Sequence, residues 1–140
     1  MMAAISISVK RIVNMKKEIF AAAILVLLAA ISAWNLNYAQ KLTTELSQAV
    51  DASIEMAKSG QWQKAASIAE SASEKWNNAD SYTQIFMGHT ELELTTDAFG
   101  DYLGELYRCD LGGARGAHQK LIEHIKTIYE MERITLKSVF

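Results

Sequence analysis

The sequence contains no proline and a single cysteine. At an average usage of ~5%, about seven prolines would be expected in a chain of this length, and proline marks turns and interrupts helices. Since alanine, leucine, glutamate, lysine and glutamine are abundant, the missing prolines predict long helices joined by short turns. Cys109 has no second cysteine to pair with, so the fold contains no intramolecular disulfide.

Basic residues are outnumbered in the longer part of the chain. Residues 1–38 carry four cations and one anion, whereas residues 39–140 carry ten cations and fifteen anions. An acidic domain argues against nucleic acid as a partner, because nucleic-acid binding requires a basic surface. The same balance argues against electrostatic binding to an anionic lipid surface.

One long stretch has no charge at all. Residues 19–34 read IFAAAILVLLAAISAW, and Leu36 and Tyr38 extend the apolar stretch to the length of about 20 residues that a membrane-spanning helix needs. Four cations between Lys10 and Lys17 precede it, and cationic flanks stay in the cytoplasm. We therefore expect Ile19 to Tyr38 to cross the lipid bilayer of the cytoplasmic membrane, with the N-terminus inside and the C-terminal domain outside.

A cleaved signal peptide is the alternative interpretation, and it would leave a secreted protein. Ala30 and Ser32, or Ala33, offer a weak cleavage site, but they lie within the run, which slightly exceeds an h-region of ~7–15 residues. A buried core helix is disfavoured because a helix that is apolar on all sides needs a large core around it. Residues 1–14 are either a short cytoplasmic tail or precede a true start at Met15.

The pattern as a whole predicts an all-α protein. Residues 1–18 form a basic cytoplasmic tail, 19–38 the transmembrane anchor, and 39–140 one extracytoplasmic domain, an antiparallel four-helix bundle of two helical hairpins. The three-four spacing of apolar residues predicts domain helices over about 41–59, 61–77, 81–108 and 111–136.

Helix ends and faces follow from the same pattern. Gly60 is expected to end the first domain helix, Ser81 with Gln84 to cap the third, and Asp110 to cap the fourth. The inner face of the third helix is predicted to comprise Tyr82, Ile85, His89, Leu92, Thr96, Phe99, Leu103 and Leu106. A shift of 49 residues aligns the two hairpins and places Gly60 on Cys109, through either duplication or the general recurrence of helix-packing patterns.

No pattern typical of catalysis occurs, so the chain is predicted not to be an enzyme and to use no cofactor. His89 and Glu93 lie one helical turn apart, and His118 would add a third metal ligand if the last helix packed alongside. The simpler interpretation has His89 and His118 hydrogen-bonding locally at the edge of the core, with His124 near the surface.

The most specific surface feature is a row of acidic residues at successive i, i+4 positions: Glu93, Asp97, Asp101 and Glu105. Like charges at this spacing disfavour a helix by ~0.2–0.5 kcal/mol per pair. The row is a docking surface for a basic partner, a weak cation site, or a solvated face neutralised by neighbours such as Lys75 or Arg115 on adjacent helices.

Several segments between Met15 and Phe140 resemble a family of small bacterial proteins, domain-of-unknown-function family 4363. They are the Met15-Lys16-Lys17 start before the apolar run, residues 60–65 (GQWQKA) followed by Trp76, residues 87–93 (MGHTELE), and the apolar end at residues 138–140. Tyr82 and Phe86 stand where family members often carry tryptophan. The resemblance implies a single N-terminal anchor and a helical exterior domain, and it transfers no catalytic residues.

Together these observations predict a membrane-anchored helical module that acts through protein–protein interaction or as an accessory subunit in the cell envelope. The alternative is a small-ligand or metal-sensing helical domain.

Overall fold

The computed structural model describes residues 2–79 and 88–139. It contains the four helices α1 (Met2–Lys58), α2 (Trp62–Asn78), α3 (His89–Tyr107) and α4 (Leu111–Val139). No strand occurs among these described residues, and the helices pack against one another, which confirms the all-α prediction.

The chain divides into two compact units, Met1–Asn35 and Leu36–Phe140. The first unit exposes sixteen large apolar side chains between Met2 and Trp34, so this segment is not a core helix buried within the chain. In the described part of the chain, α1 is the one helix long and apolar enough to cross a membrane. A signal sequence meets the same criterion.

The core of the second unit is built from all four helices. Leu46 of α1, Ala69 of α2 and Leu121 of α4 are fully buried in it. Ser53 and Tyr102 join the core through hydroxyl groups: Tyr102 donates to Ser53 Oγ at 2.9 Å, and Ser53 donates to the Ala65 carbonyl at 2.7 Å. These bonds satisfy polar groups that would otherwise be costly to bury.

Two turns with the same geometry join the helices in pairs. Gly60 follows α1 with φ 78°; its N–H bonds to the Ala57 carbonyl, and the next N–H bonds to the carbonyl of Met56. Cys109 follows α3 with φ 55°, and the bonds from residues 109 and 110 to the carbonyls of Leu106 and Glu105 repeat the pattern. Both are Schellman turns, in which a left-handed residue ends the helix. Gly60 therefore ends its helix as predicted, and the aligned positions 60 and 109 are structurally equivalent.

The predicted inner face of α3 is partly wrong. His89 and Thr96 are exposed, whereas Thr95, Ala98 and Tyr102 are buried beside the correctly predicted Phe99 and Leu106. The reason is that α3 packs against both α2 and α4, so its buried arc is wider than one stripe and is centred one residue earlier. Thr96 instead lies at the margin, where its Oγ1 accepts a hydrogen bond from Trp76 Nε1 at 3.0 Å.

One predicted helix boundary differs from the structure, and another lies outside the described residues. No break separates the predicted anchor from the first domain helix near residues 39–41, since α1 is continuous from Met2 to Lys58. The predicted start of the third helix, with the capping pair Ser81 and Gln84 and the inner residues Tyr82 and Ile85, lies outside the described residues.

Candidate functional site

The predicted acidic row lies along α3, and its two end residues contact a histidine and an arginine of, or next to, the same helix. Glu93 is 3.0 Å from His89 Nε2, and Glu105 accepts two bonds from Arg108 at 2.8 and 2.9 Å. The middle residues, Asp97 and Asp101, are exposed and have no ion pair among the described residues.

The expected neutralising residues are engaged elsewhere. Lys75 of α2 pairs with Glu45 of α1. Arg115 lines a separate cavity beside Glu55 and lowers the pKa of that carboxyl slightly by its charge, after the larger effect of the Lys58 hydrogen bond. Within the described part of the chain, the two end residues of the row thus have such a contact, and Asp97 and Asp101 have no ion pair.

The row borders a groove of about 760 Å³ between α3 and α4. One wall carries Asp97, Asp101 and the paired Glu105 and Arg108, and the other carries Lys120 and His124. Its apolar and small residues are Leu94, Ala98, Gly100, Gly104, Gly113, Gly116 and Ala117. The groove therefore has bare backbone between the unpaired carboxylates of α3 and the lysine of α4.

At three of these glycines, no described residue provides a steric reason for the lack of a side chain. A Cβ added at Gly100, Gly104 or Gly116 would meet nothing within 4 Å. Gly113 differs, because a Cβ there would overlap the Glu105 carboxylate. Glycine inside a helix costs about 0.5–1 kcal/mol relative to alanine. That cost has a local cause at Gly113 and none within the described chain at the other three positions.

The candidate metal ligands are not brought together. His89 pairs with Glu93 one turn away, but its side chain is 85% exposed, so its predicted place at the core edge is wrong. His118 pairs with Asp51 of α1, and His124 is half-buried at the groove. In the ranges that the structure describes, no group of three or more His, Cys, Asp or Glu side chains is placed to hold a metal ion.

The sequence analysis missed the contact between Asp51 and His118, whose Oδ1 and Nε2 atoms are 2.8 Å apart. These residues are 67 positions apart, so no local spacing could have paired them. The His118 ring lies 6.1 Å from the Tyr102 ring, centre to centre. Burial raises the pKa of Tyr102, and the charge of Asp51 adds to that rise.

A cavity of about 400 Å³ opens beside this pair, lined by Asp51, Ile54, Glu55, Lys58, Arg115 and His118. Its carboxylates are engaged, since Asp51 contacts His118 and Glu55 accepts a bond from Lys58 at 2.8 Å. The nearby hydroxyl of Ser53 donates to a backbone carbonyl and is not directed to the histidine. The arrangement suits polar binding better than nucleophilic catalysis.

The turn before α4 contains the remaining features singled out by sequence. Asp110 Oδ1 accepts a bond from the Gly113 N–H at 3.1 Å, which confirms Asp110 as the helix cap. Cys109 is a free, exposed thiol at the top of this turn.

Comparison of the chain with models of protein families, with curated proteins and with solved structures found no match. The resemblance to domain-of-unknown-function family 4363 therefore stays a prediction.

Proposed function

We propose that this chain is a single-span membrane protein whose helical domain lies outside the cytoplasm and acts by binding a protein of the cell envelope. The observation that carries the proposal is the contrast between the two units. The first exposes sixteen large apolar side chains, and the described part of the second exposes four: Leu94, Tyr107, Met131 and Ile134.

Lipid is the environment that fits the first unit. Removing apolar surface from water stabilises by roughly 25 cal/mol per Å², so the nine large apolar side chains exposed between Ile19 and Trp34 strongly favour transfer to a bilayer. Lys10, Arg11, Lys16 and Lys17 precede the most apolar part, and cationic flanks favour an N-terminus inside. The acidic domain then faces the exterior.

Cys109 provides the test of orientation, because it is the sole cysteine and its side chain is exposed. A membrane-impermeant maleimide should label the full chain in intact bacterial spheroplasts, and Cys109→Ser should abolish the labelling. A Ser8→Cys, Cys109→Ser variant should be labelled after lysis alone. Labelling of Cys109 that also requires lysis would contradict the proposed topology.

The same preparation separates an anchor from a signal peptide. Intact-mass measurement of the membrane-extracted protein should find residues 19–38 retained. A mature chain beginning near Ala33, recovered from the soluble fraction, would instead support secretion.

The acidic row on α3 is the proposed binding surface. Crosslinking of intact membranes followed by purification should recover a partner, and Asp101→Asn should reduce its yield. Glu74→Gln, an equal charge change at an exposed position of α2, is the matched control. The partner proposal fails if no second kind of protein is recovered, or if both variants reduce the yield equally.

A second candidate function, binding of a small polar ligand, is favoured by the cavity beside Asp51 and His118. Its mixed charges suit a zwitterion such as a free amino acid. A melting-temperature shift of the full chain with an amino-acid panel, lost in Arg115→Gln, would support it. No shift with any amino acid would exclude that ligand class.

A further inference from the structure

The α3–α4 groove has features that none of the described residues of the chain uses. Gly100 and Gly104 lie four positions apart and thus share one face of α3, and Gly116 opens onto the same groove from α4. Small residues at this spacing allow the backbone of a second helix to approach closely. Leu94, 41% exposed, adds an apolar side chain at the same groove.

The charges of the two walls indicate which molecule fits. Asp97 and Asp101 lie on the α3 wall and Lys120 on the α4 wall, and none of the three has an ion pair among the described residues. A uniformly basic partner would be attracted to one wall and repelled by the other. A second copy related by a two-fold axis along the groove would instead lay each α3 wall against the other copy's α4 wall.

We infer that the groove is an interface between two copies of this chain, in which bare glycine backbone permits close helix contact and Asp101 of each copy faces Lys120 of the other. An interface of this kind is self-complementary, because every contact occurs twice. The inference specifies the partner of the acidic row, and it therefore rests on the proposal that the row is a binding surface.

The steric part is tested with the full chain in detergent micelles by analytical ultracentrifugation. Gly104→Leu fills open space in the groove and should raise the dimer dissociation constant by at least about tenfold, a loss of one decade in affinity. Gln119→Leu introduces the same side chain at an exposed position of α4 that does not line the groove, and should leave the constant unchanged. Circular dichroism of both variants checks that the helices persist.

The charge part is tested by mixing two variants. Asp101→Lys places a lysine against Lys120 at both contacts, and Lys120→Asp places an aspartate against Asp101 at both contacts. Each variant alone should therefore be monomeric at concentrations where the natural chain is dimeric. An equimolar mixture should form a heterodimer, because both contacts between the copies are then complementary.

The outcomes separate this inference from the proposed function. A natural chain that is monomeric throughout, or a dimer that survives Gly104→Leu, overturns the inference even if crosslinking recovers a different envelope protein. A dimer that follows the predicted pattern supports it even if crosslinking recovers no other protein.

Discussion

The two hairpins of the helical unit have turns of the same geometry and differ in the residues that lie between their two helices. α1 and α2 meet through buried alanines at positions 57, 65 and 69, and the Ser53 hydroxyl joins the two backbones. α3 and α4 share a buried core too, but glycines line their outer side and a groove remains there. The comparison teaches that one turn geometry serves both a helix pair with a small groove, of about 290 Å³ between α1 and α2, and a pair with a groove of about 760 Å³.

The largest effect is expected where the hairpins meet, at Ser53 and Tyr102, which occupy aligned positions. Tyr102→Ala should lower the free energy of unfolding by about 3–5 kcal/mol, because it removes a fully buried ring and leaves a cavity. Ser53→Ala should cost about 1–3 kcal/mol, because the buried Tyr102 hydroxyl loses its acceptor. Urea denaturation followed by circular dichroism measures both. Equal costs would contradict the expectation that losing the Tyr102 ring destabilises more than losing the Ser53 hydroxyl.

A smaller and opposite pair of effects is expected at the two turns. Gly60→Ala should destabilise by about 1–2 kcal/mol, the cost of a side chain in the left-handed conformation. Cys109→Gly should stabilise by up to about 1 kcal/mol, because it relieves that cost but adds freedom to the unfolded chain. Cys109→Ala, which keeps a Cβ, is the control and should change stability little. A destabilising Cys109→Gly would show that the two turns are not equivalent.

The smallest effects come from pH. Acid should destabilise the first hairpin, and alkali should destabilise the second. Hydrogen bonds from Lys75 and Lys58 hold the pKa values of Glu45 and Glu55 below the ordinary 4.5. This stabilisation of the first hairpin is present above pH 4.5 and is lost as the pH falls through the lowered pKa values.

In the second hairpin the direction is reversed. Burial raises the pKa of Tyr102 above 10.0, and a hydrogen bond to Glu70 raises that of Tyr107. Their contribution is complete below pH 10.0 and is lost as the pH rises through the raised values. Denaturation midpoints across both ranges, compared with Glu45→Gln and Tyr102→Phe, measure the two effects. Tyrosinate absorbance that develops at the ordinary pKa in all tyrosines would contradict the alkaline part.

Local signals predicted most of the fold. Gly60 ends a helix because a left-handed position favours glycine, Asp110 caps because its side chain reaches the N–H of residue 113, and Leu121 lies on an unbroken three-four stripe. Each depends on residues within about one or two turns of helix, which the printed order of the chain displays directly.

The features that sequence could not supply depend on three-dimensional neighbours. Tyr102 and Thr95 are buried because α3 lies between two other helices, and a helical pattern read alone gives one stripe. Asp51 meets His118 across two helices. The acidic row was predicted from sequence. The groove that it borders, with its glycines and with Lys120 on the opposite side, became evident only from the placement of α4 beside α3.

The open glycines also have a consequence for directed evolution of this protein. Selection for thermal stability alone should replace Gly100, Gly104 and Gly116 with alanine, because each substitution favours the helix and meets no described residue within 4 Å. Gly113 differs from these three, because a side chain there would displace the carboxylate at the flexible end of Glu105. A second selection would require that cells also depend on the protein. Positions that change under the first selection but retain glycine under the second would identify the functional surface.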